Sequence, residues 1–154
     1  MVPANAPEWV LDRQILWQTI EDIETRFDSH LAREFTVALP EELTLEQNIE
    51  LIKEFVETSF ISRDMVADVN FHNDHQNNPH LHIMCPTRSL GDDKNGNVSF
   101  LHKRRDWNTK SVLDSIRQEQ AQVTNKYLKQ YGYDCRVSHL PDEERRFDCL
   151  RPWL

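Results

Sequence analysis

The stretch from Met65 to Cys85 constrains the fold more than any other, because it reads as two alternating strands joined by turn chemistry. In the first run Met65, Ala67, Val69 and Phe71 share one face, and Val66, Asp68, Asn70 and His72 share the other. Residues 73–79, NDHQNNP, are turn formers. In the second run Leu81 and Ile83 alternate with His80 and His82. A hairpin closed by this loop sets His72 opposite His80 and Asn70 opposite His82. Directly paired side chains point to the same face with Cβ atoms about 4.5–5.5 Å apart. The apolar set therefore belongs to one face and the imidazoles to the other, and a one-residue slip would reverse both.

Four of the seven histidines fall in this stretch. Neutral imidazoles gain little by crowding and protonated ones repel. Three of them on one patch, His72, His80 and His82, point to a facial nitrogen ligand set with open positions. Such an open site suits catalysis better than structural zinc, which favours closed sets rich in thiolate. His30, His75, His102 and His139 have no such grouping and read as surface or core residues.

The remaining chain supplies elements to cover the apolar face. Leu16, Ile20, Ile23 and Phe27 form one stripe of a helix from Asp12 to Phe27. Phe35, Val37 and Leu39 alternate with Glu34, Thr36 and Ala38 as a half-buried strand that Pro40 ends. Thr44 and Gln47 form a capping box that opens a helix to about Phe60, with Leu45, Ile49, Ile52, Phe55 and Val56 inward. Ser89 to Asn97 reads as a loop before a short strand from Val98 to Leu101. A long helix from Lys110 to Tyr131 carries Val112, Ile116, Val123 and Tyr127 on one stripe, and Gly132 suits a left-handed C-cap. Cys135 to Val137 reads as a last short strand. This order predicts an α+β domain, with a central antiparallel β-sheet and helices packed mainly on one face. The domain spans residues 1–140, and 141–154 form a C-terminal tail.

At 154 residues with 38% hydrophobic and 29% charged content, the chain is long and apolar enough for one core and too apolar for disorder. Its apolar runs are far shorter than the ~20 residues that span a bilayer. The opening MVPANAPEWV lacks the pattern of a signal peptide. Cys85, Cys135 and Cys149 are odd in number and carry no CxxC spacing, so they read as reduced thiols in a cytoplasmic setting. The net charge of −8 opposes non-specific nucleic-acid binding, so any DNA contact must rely on a local patch. HKRRDWNTK, 102–110, is one such patch: Lys103, Arg104 and Arg105 could grip phosphates and Trp107 could stack a base. Arg88, just past the third strand, is a further candidate. Trp9 and Trp17 read as packing residues of the first helix.

Two segments, LAREFTVALPEEL (31–43) and MVADVNFHNDHQNNPHLHIMCPTR (65–88), resemble the relaxase domain of the MobA/MobL class, which includes the Ti-type TraA conjugation proteins. His80-Leu81-His82 is similar to the histidine-hydrophobe-histidine motif of a superfamily of single-strand endonucleases. PANAPEW (3–9) and the Gly132 helix exit extend the likeness to about residues 3–140. The resemblance implies that His72, His80 and His82 hold one divalent cation, Mg²⁺ or Mn²⁺, with Zn²⁺ able to occupy the site in purified protein. It implies metal-dependent nicking and strand transfer of single-stranded DNA at an origin of transfer, through a tyrosine that becomes linked to the 5′-phosphate. Glu34 matches an acidic position of the family and would orient a ligand or a proton, with Thr36 next on its face. Asp74 and Asn78 match the loop.

In such relaxases the nucleophilic tyrosine lies on an opening segment ahead of the one resembling PANAPEW. Tyr127, Tyr131 and Tyr133 read instead as packing residues in or just after the last helix. The first strand and the nucleophile are therefore expected outside this chain. That makes it a truncated relaxase, the product of a split or decayed gene, or a module working with the missing segment or another relaxase polypeptide. A non-catalytic metal- or single-stranded-DNA-binding remnant and an unrelated three-histidine metalloprotein stay open. An exposed sheet edge is expected to favour a homodimer.

Overall fold

The computed structural model describes residues 1–72 and 78–140, together with the backbone of Leu150 and Arg151. Three helices, α1 (Arg13–Ile23), α2 (Leu45–Ser59) and α3 (Lys110–Gln130), accompany strands β1 (Ala32–Ala38), β2 (Asp68–His72), β3 (His80–Pro86), β4 (Arg88–Asp92), β5 (Val98–Lys103), β6 (Arg136–Val137) and β7 (Leu150–Arg151). The central sheet has the order β1-β3-β2 and is antiparallel throughout. β4 and β5 form a separate hairpin, and β6 pairs with β7 in parallel.

Strand parity decides where the core lies. Leu81, Ile83 and Cys85 of β3 are fully buried, with Phe35 and Val37 of β1 and Val69 and Phe71 of β2 packed on the same cluster. Phe55, Val56, Ile116, Val123 and Tyr127 from α2 and α3 close it from below. Burying each large apolar side chain contributes about 1.5–3 kcal/mol, so this face alone holds the register. Phe60, Phe35 and Trp107 meet with ring centroids 5.2 to 6.5 Å apart. A second cluster joins Leu16 and Ile20 of α1 to Val10, Val66, Leu90 and Phe100.

The Thr44–Gln47 capping box forms, with both reciprocal hydrogen bonds present. Asp12 caps α1 through Ile15 N, and Gly132 leaves α3 at φ 83. Four expectations need correction. α1 stops at Ile23, and Phe27 lies beyond it, fully exposed. Its neighbour Glu24 is held by Arg88 and Lys103, which ties the chain down at the helix end. In α2 the inward stripe is rotated: Leu45 and Ile49 are exposed, while Asn48 and Leu51 are buried. Both stripes fit a helical period, and Asn48 selects between them by donating to the Pro40 and Leu43 carbonyls. The predicted 89–97 loop contains most of β4, which leads into a turn where Gly96 sits at φ 76. Asp93 Oδ1 organises that turn by accepting from Asn95 and Asn97 N. Finally, β2 begins at Asp68; Met65 and Ala67 are buried in the main core, while Val66, placed by alternation on the histidine face, is buried in the second cluster. Ala67 is instead bridged by Met1, which accepts from Ala67 N and donates its amino group to Ala67 O. No helix among the described residues is long and apolar enough to cross a membrane.

Candidate metal centre

With the apolar face committed downward, the opposite face of the sheet carries three rows of side chains. The register sets Glu34, Met84 and Asp68 in one row, Thr36, His82 and Asn70 in the next, and Ala38, His80 and His72 in the last. The predicted pairs His72–His80 and Asn70–His82 are those observed. The three imidazoles converge with ring centroids 4.9 to 5.3 Å apart. One ligand atom from each lies within 4.8 Å of the other two. His72 is exposed and the other two are half-buried, so the cluster is open to solvent on its outer side.

The chemistry of the donor set fits a cation. His80 Nδ1 lies 2.8 Å from the Asn78 carbonyl oxygen. A carbonyl only accepts, so in the neutral ring this nitrogen carries the proton and Nε2 is left as the lone-pair donor. His82 Nδ1 lies 2.7 Å from Glu34 Oε1, and an ionised carboxylate imposes the same assignment. Two of the three rings are thus fixed in tautomer and orientation by a partner on the far nitrogen, as metal-bound histidines usually are. Glu34, expected to orient a ligand or a proton, is hydrogen-bonded to His82.

Sequence reasoning missed the network beside this cluster. Trp17 Nε1 donates to Asp68 Oδ2 at 3.0 Å. Arg13 donates through Nε to Asp68 Oδ1 at 3.1 Å and through Nη2 to Asn70 Oδ1 at 2.8 Å. Asp68 and Asn70 were legible on the histidine face of β2, but nothing in the local pattern ties them to a residue 55 positions earlier. Trp17 is therefore both a packing residue and a hydrogen-bond donor to this face.

The candidate DNA-binding residues are placed elsewhere. Arg88 follows β3, six residues beyond His82, on the order of 20 Å along the strand. Its Nε donates to Glu24 Oε1 at 2.6 Å, and Lys103 Nζ reaches Glu24 Oε2 at 2.7 Å. Burial pushes the Glu24 carboxyl up, but the hydrogen bonds and charges of Arg88 and Lys103 outweigh it and hold the group below its ordinary range. Arg88, Lys103 and Arg105 line a polar cleft of about 540 Å³ with His30 and His102. Arg104 turns away, bonded to both oxygens of Asp106 and to the Arg63 carbonyl. Trp107 cannot stack a base: it is buried in the main core against Phe35 and Phe60. His75 and Asp74 lie outside the described residues.

Tyr127 and Tyr131 behave as packing groups, whereas Tyr133, read as one from the sequence, is exposed beyond the end of α3. Tyr127 donates to Glu54 and Tyr131 to Glu50, both on α2 beneath the sheet. Burial, then the Glu54 carboxylate, push the Tyr127 phenol up to about 12. Cys85 is likewise pushed up to about 12 by burial, an inert thiol in the core.

Comparison with known proteins gives the family. The MobA/MobL family model matches residues 1–149. A conjugal transfer protein TraA of Rhizobium radiobacter is 42% identical over 106 residues, covering 62% of this chain and 10% of that protein. A probable TraA of Sinorhizobium fredii is 43% identical over 103 residues, 60% of this chain and 9% of that protein. A probable mobilization protein MobA of Bifidobacterium longum is 30% identical over 115 residues, 74% of this chain and 20% of that protein. The chain thus spans a small fraction of the curated relatives it matches. A structure described as the molecular basis of vancomycin resistance transfer in Staphylococcus aureus superposes with a TM-score of 0.79 at 38% identity, covering 92% of this chain and 73% of that one. An unrelated three-histidine protein is thereby set aside: the chain belongs to the MobA/MobL family and has its α+β, relaxase-like fold.

Proposed function

We propose that this chain is the metal-holding part of a relaxase of conjugative DNA transfer. The observation that carries the reading is the convergence of His72, His80 and His82 with two far nitrogens already pinned by Glu34 and Asn78. The ion is Mg²⁺ or Mn²⁺, which supplies Lewis-acid stabilisation of a phosphoryl oxygen when bound. The ligand is single-stranded DNA at an origin of transfer. Around the ion, His80 and His82 present Nε2, Glu34 keeps the His82 proton on Nδ1, and the open outer side of the cluster admits a phosphodiester. Arg88, Lys103 and Arg105 would meet the strand further along; Arg104, paired to Asp106, is a weaker candidate.

The chain's own tyrosines do not serve as nucleophile in this reading. Tyr127 and Tyr131 are engaged by α2 carboxylates under the sheet, and Tyr133 follows the end of α3. The attacking tyrosine then comes from a further segment or another relaxase polypeptide, and the chain alone binds metal and strand without nicking. The test is a Mn²⁺ titration by calorimetry together with a nicking assay on an origin-of-transfer oligonucleotide. One bound ion and an intact oligonucleotide are expected. No bound ion would refute the metal site, and cleavage by this chain alone would refute the missing nucleophile.

A further inference from the structure

We infer that Arg13 is a phosphate-binding residue for the strand held at the histidine cluster, a reading that rests on the function proposed above. Arg13 opens α1, and α1 leans over the Asp68 end of the histidine face through Trp17 and Arg13 itself. Its Nη2 donates to Asn70 Oδ1, and Asn70 stands directly opposite His82 in the register. The guanidinium is therefore on the order of 10 Å from the His82 ring and on the same side of the sheet. Among the described residues hydrogen-bonded to this face, it is the only one with a permanent positive charge.

Three features suit it to an anion beyond its present partners. Nε and Nη2 are committed to Asp68 and Asn70, whereas the two N–H groups of Nη1 have no partner among the described residues. The Arg13 side chain is 59% exposed although Asp68 beneath it is only 11% exposed, so the free edge faces solvent while the anchor is buried. The fork is held in place by two side chains from β2, so a phosphate need not pay the ordering cost that a free arginine would impose. Asp68 cancels part of the charge, which limits the contribution to a single phosphate contact. A plain structural ion pair would use the same anchor, so the test must read phosphate contact itself.

The experiment measures binding of a fluorescent single-stranded oligonucleotide by anisotropy across a salt series in Mn²⁺, for the wild type and Arg13→Gln. Mn²⁺ affinity of each is read by calorimetry. One phosphate contact on a single strand contributes about 0.7 to the slope of log K against log salt. Arg13→Gln should lower the slope by that amount and leave Mn²⁺ affinity unchanged. An unchanged slope with intact Mn²⁺ binding overturns the inference alone. A wild type that binds no oligonucleotide overturns both it and the proposed function. Should Arg13→Gln not fold, Asn70→Ala removes one anchor and keeps the charge. Oligonucleotide affinity should then fall about three- to tenfold with Mn²⁺ affinity retained, and no fall overturns the inference.

Discussion

Glu34 tests the proposed metal centre most directly, because it would reach an ion only through His82. From a cation to Nε2 is about 2.1 Å, across the ring about 2.2 Å, and on to the carboxylate 2.7 Å, so charge and ion sit about 7 Å apart. A dication and a carboxylate at that distance attract by about 1 kcal/mol with water-like screening. Water-like screening is the right choice here, since the Glu34 side chain is 61% exposed. Glu34→Gln keeps an acceptor for the His82 Nδ1–H and removes the charge, so Mn²⁺ affinity should fall roughly fivefold to tenfold. Glu34→Ala also frees the ring to rotate, which adds about 1 kcal/mol and brings the loss to roughly thirtyfold, inside the range seen for outer partners of metal-bound histidines. Calorimetric titration of both variants, and of each combined with His82→Ala, reads this out. In the His82→Ala background Glu34→Ala should have little further effect. Equal effects of Glu34→Ala with and without His82 would refute the argument that the carboxylate acts through that imidazole.

Three further outcomes follow from the same structure. His80→Ala/His82→Ala should bind no Mn²⁺ while unfolding close to the parent, because both side chains lie on the solvent face; a large drop in the thermal midpoint would show that they also carry the fold. Glu24 is held below its ordinary carboxyl range, so the stability it contributes is present above about pH 4.3 and is lost as pH falls through the lowered folded value. Glu24→Gln should cost about 2–3 kcal/mol at neutral pH, less than a fully buried pair because Arg88 and Lys103 stay 21% and 27% exposed, and should flatten urea midpoints between pH 7 and 3; an unflattened profile would assign the acid sensitivity elsewhere. β1 pairs only with β3 among the described strands, and its outer side borders a groove of about 500 Å³ with Leu113 and Ile116 of α3, so sedimentation at rising concentration should show a dimer through that edge, and a monomer throughout would refute it.

The sequence by itself determined the three-histidine face. Alternation along residues 65–85 commits Leu81 and Ile83 to the core, and with period two the imidazoles of His72, His80 and His82 must share the other side. A short polar loop then leaves little choice of register, so the cross-strand pairs could be written down from spacing. Capping chemistry was equally local: Thr44–Gln47 and Gly132 did what their residue types require. The family resemblance, carried by those same residues, pointed to Glu34 as a partner of the site. Only the tertiary structure decided what surrounds the face. Two helical stripes in α2 were equally periodic, and the Asn48 bonds to the preceding turn selected one. Arg88 looked free for phosphate, yet it shares Glu24 with Lys103 across 64 residues of chain. Arg13 carried no local mark at all and gained its place from α1 docking on Asp68 and Asn70. Periodicity reports which residues share a face of one element. Which face of a distant element they meet depends on how whole layers pack, and that information resides in three dimensions.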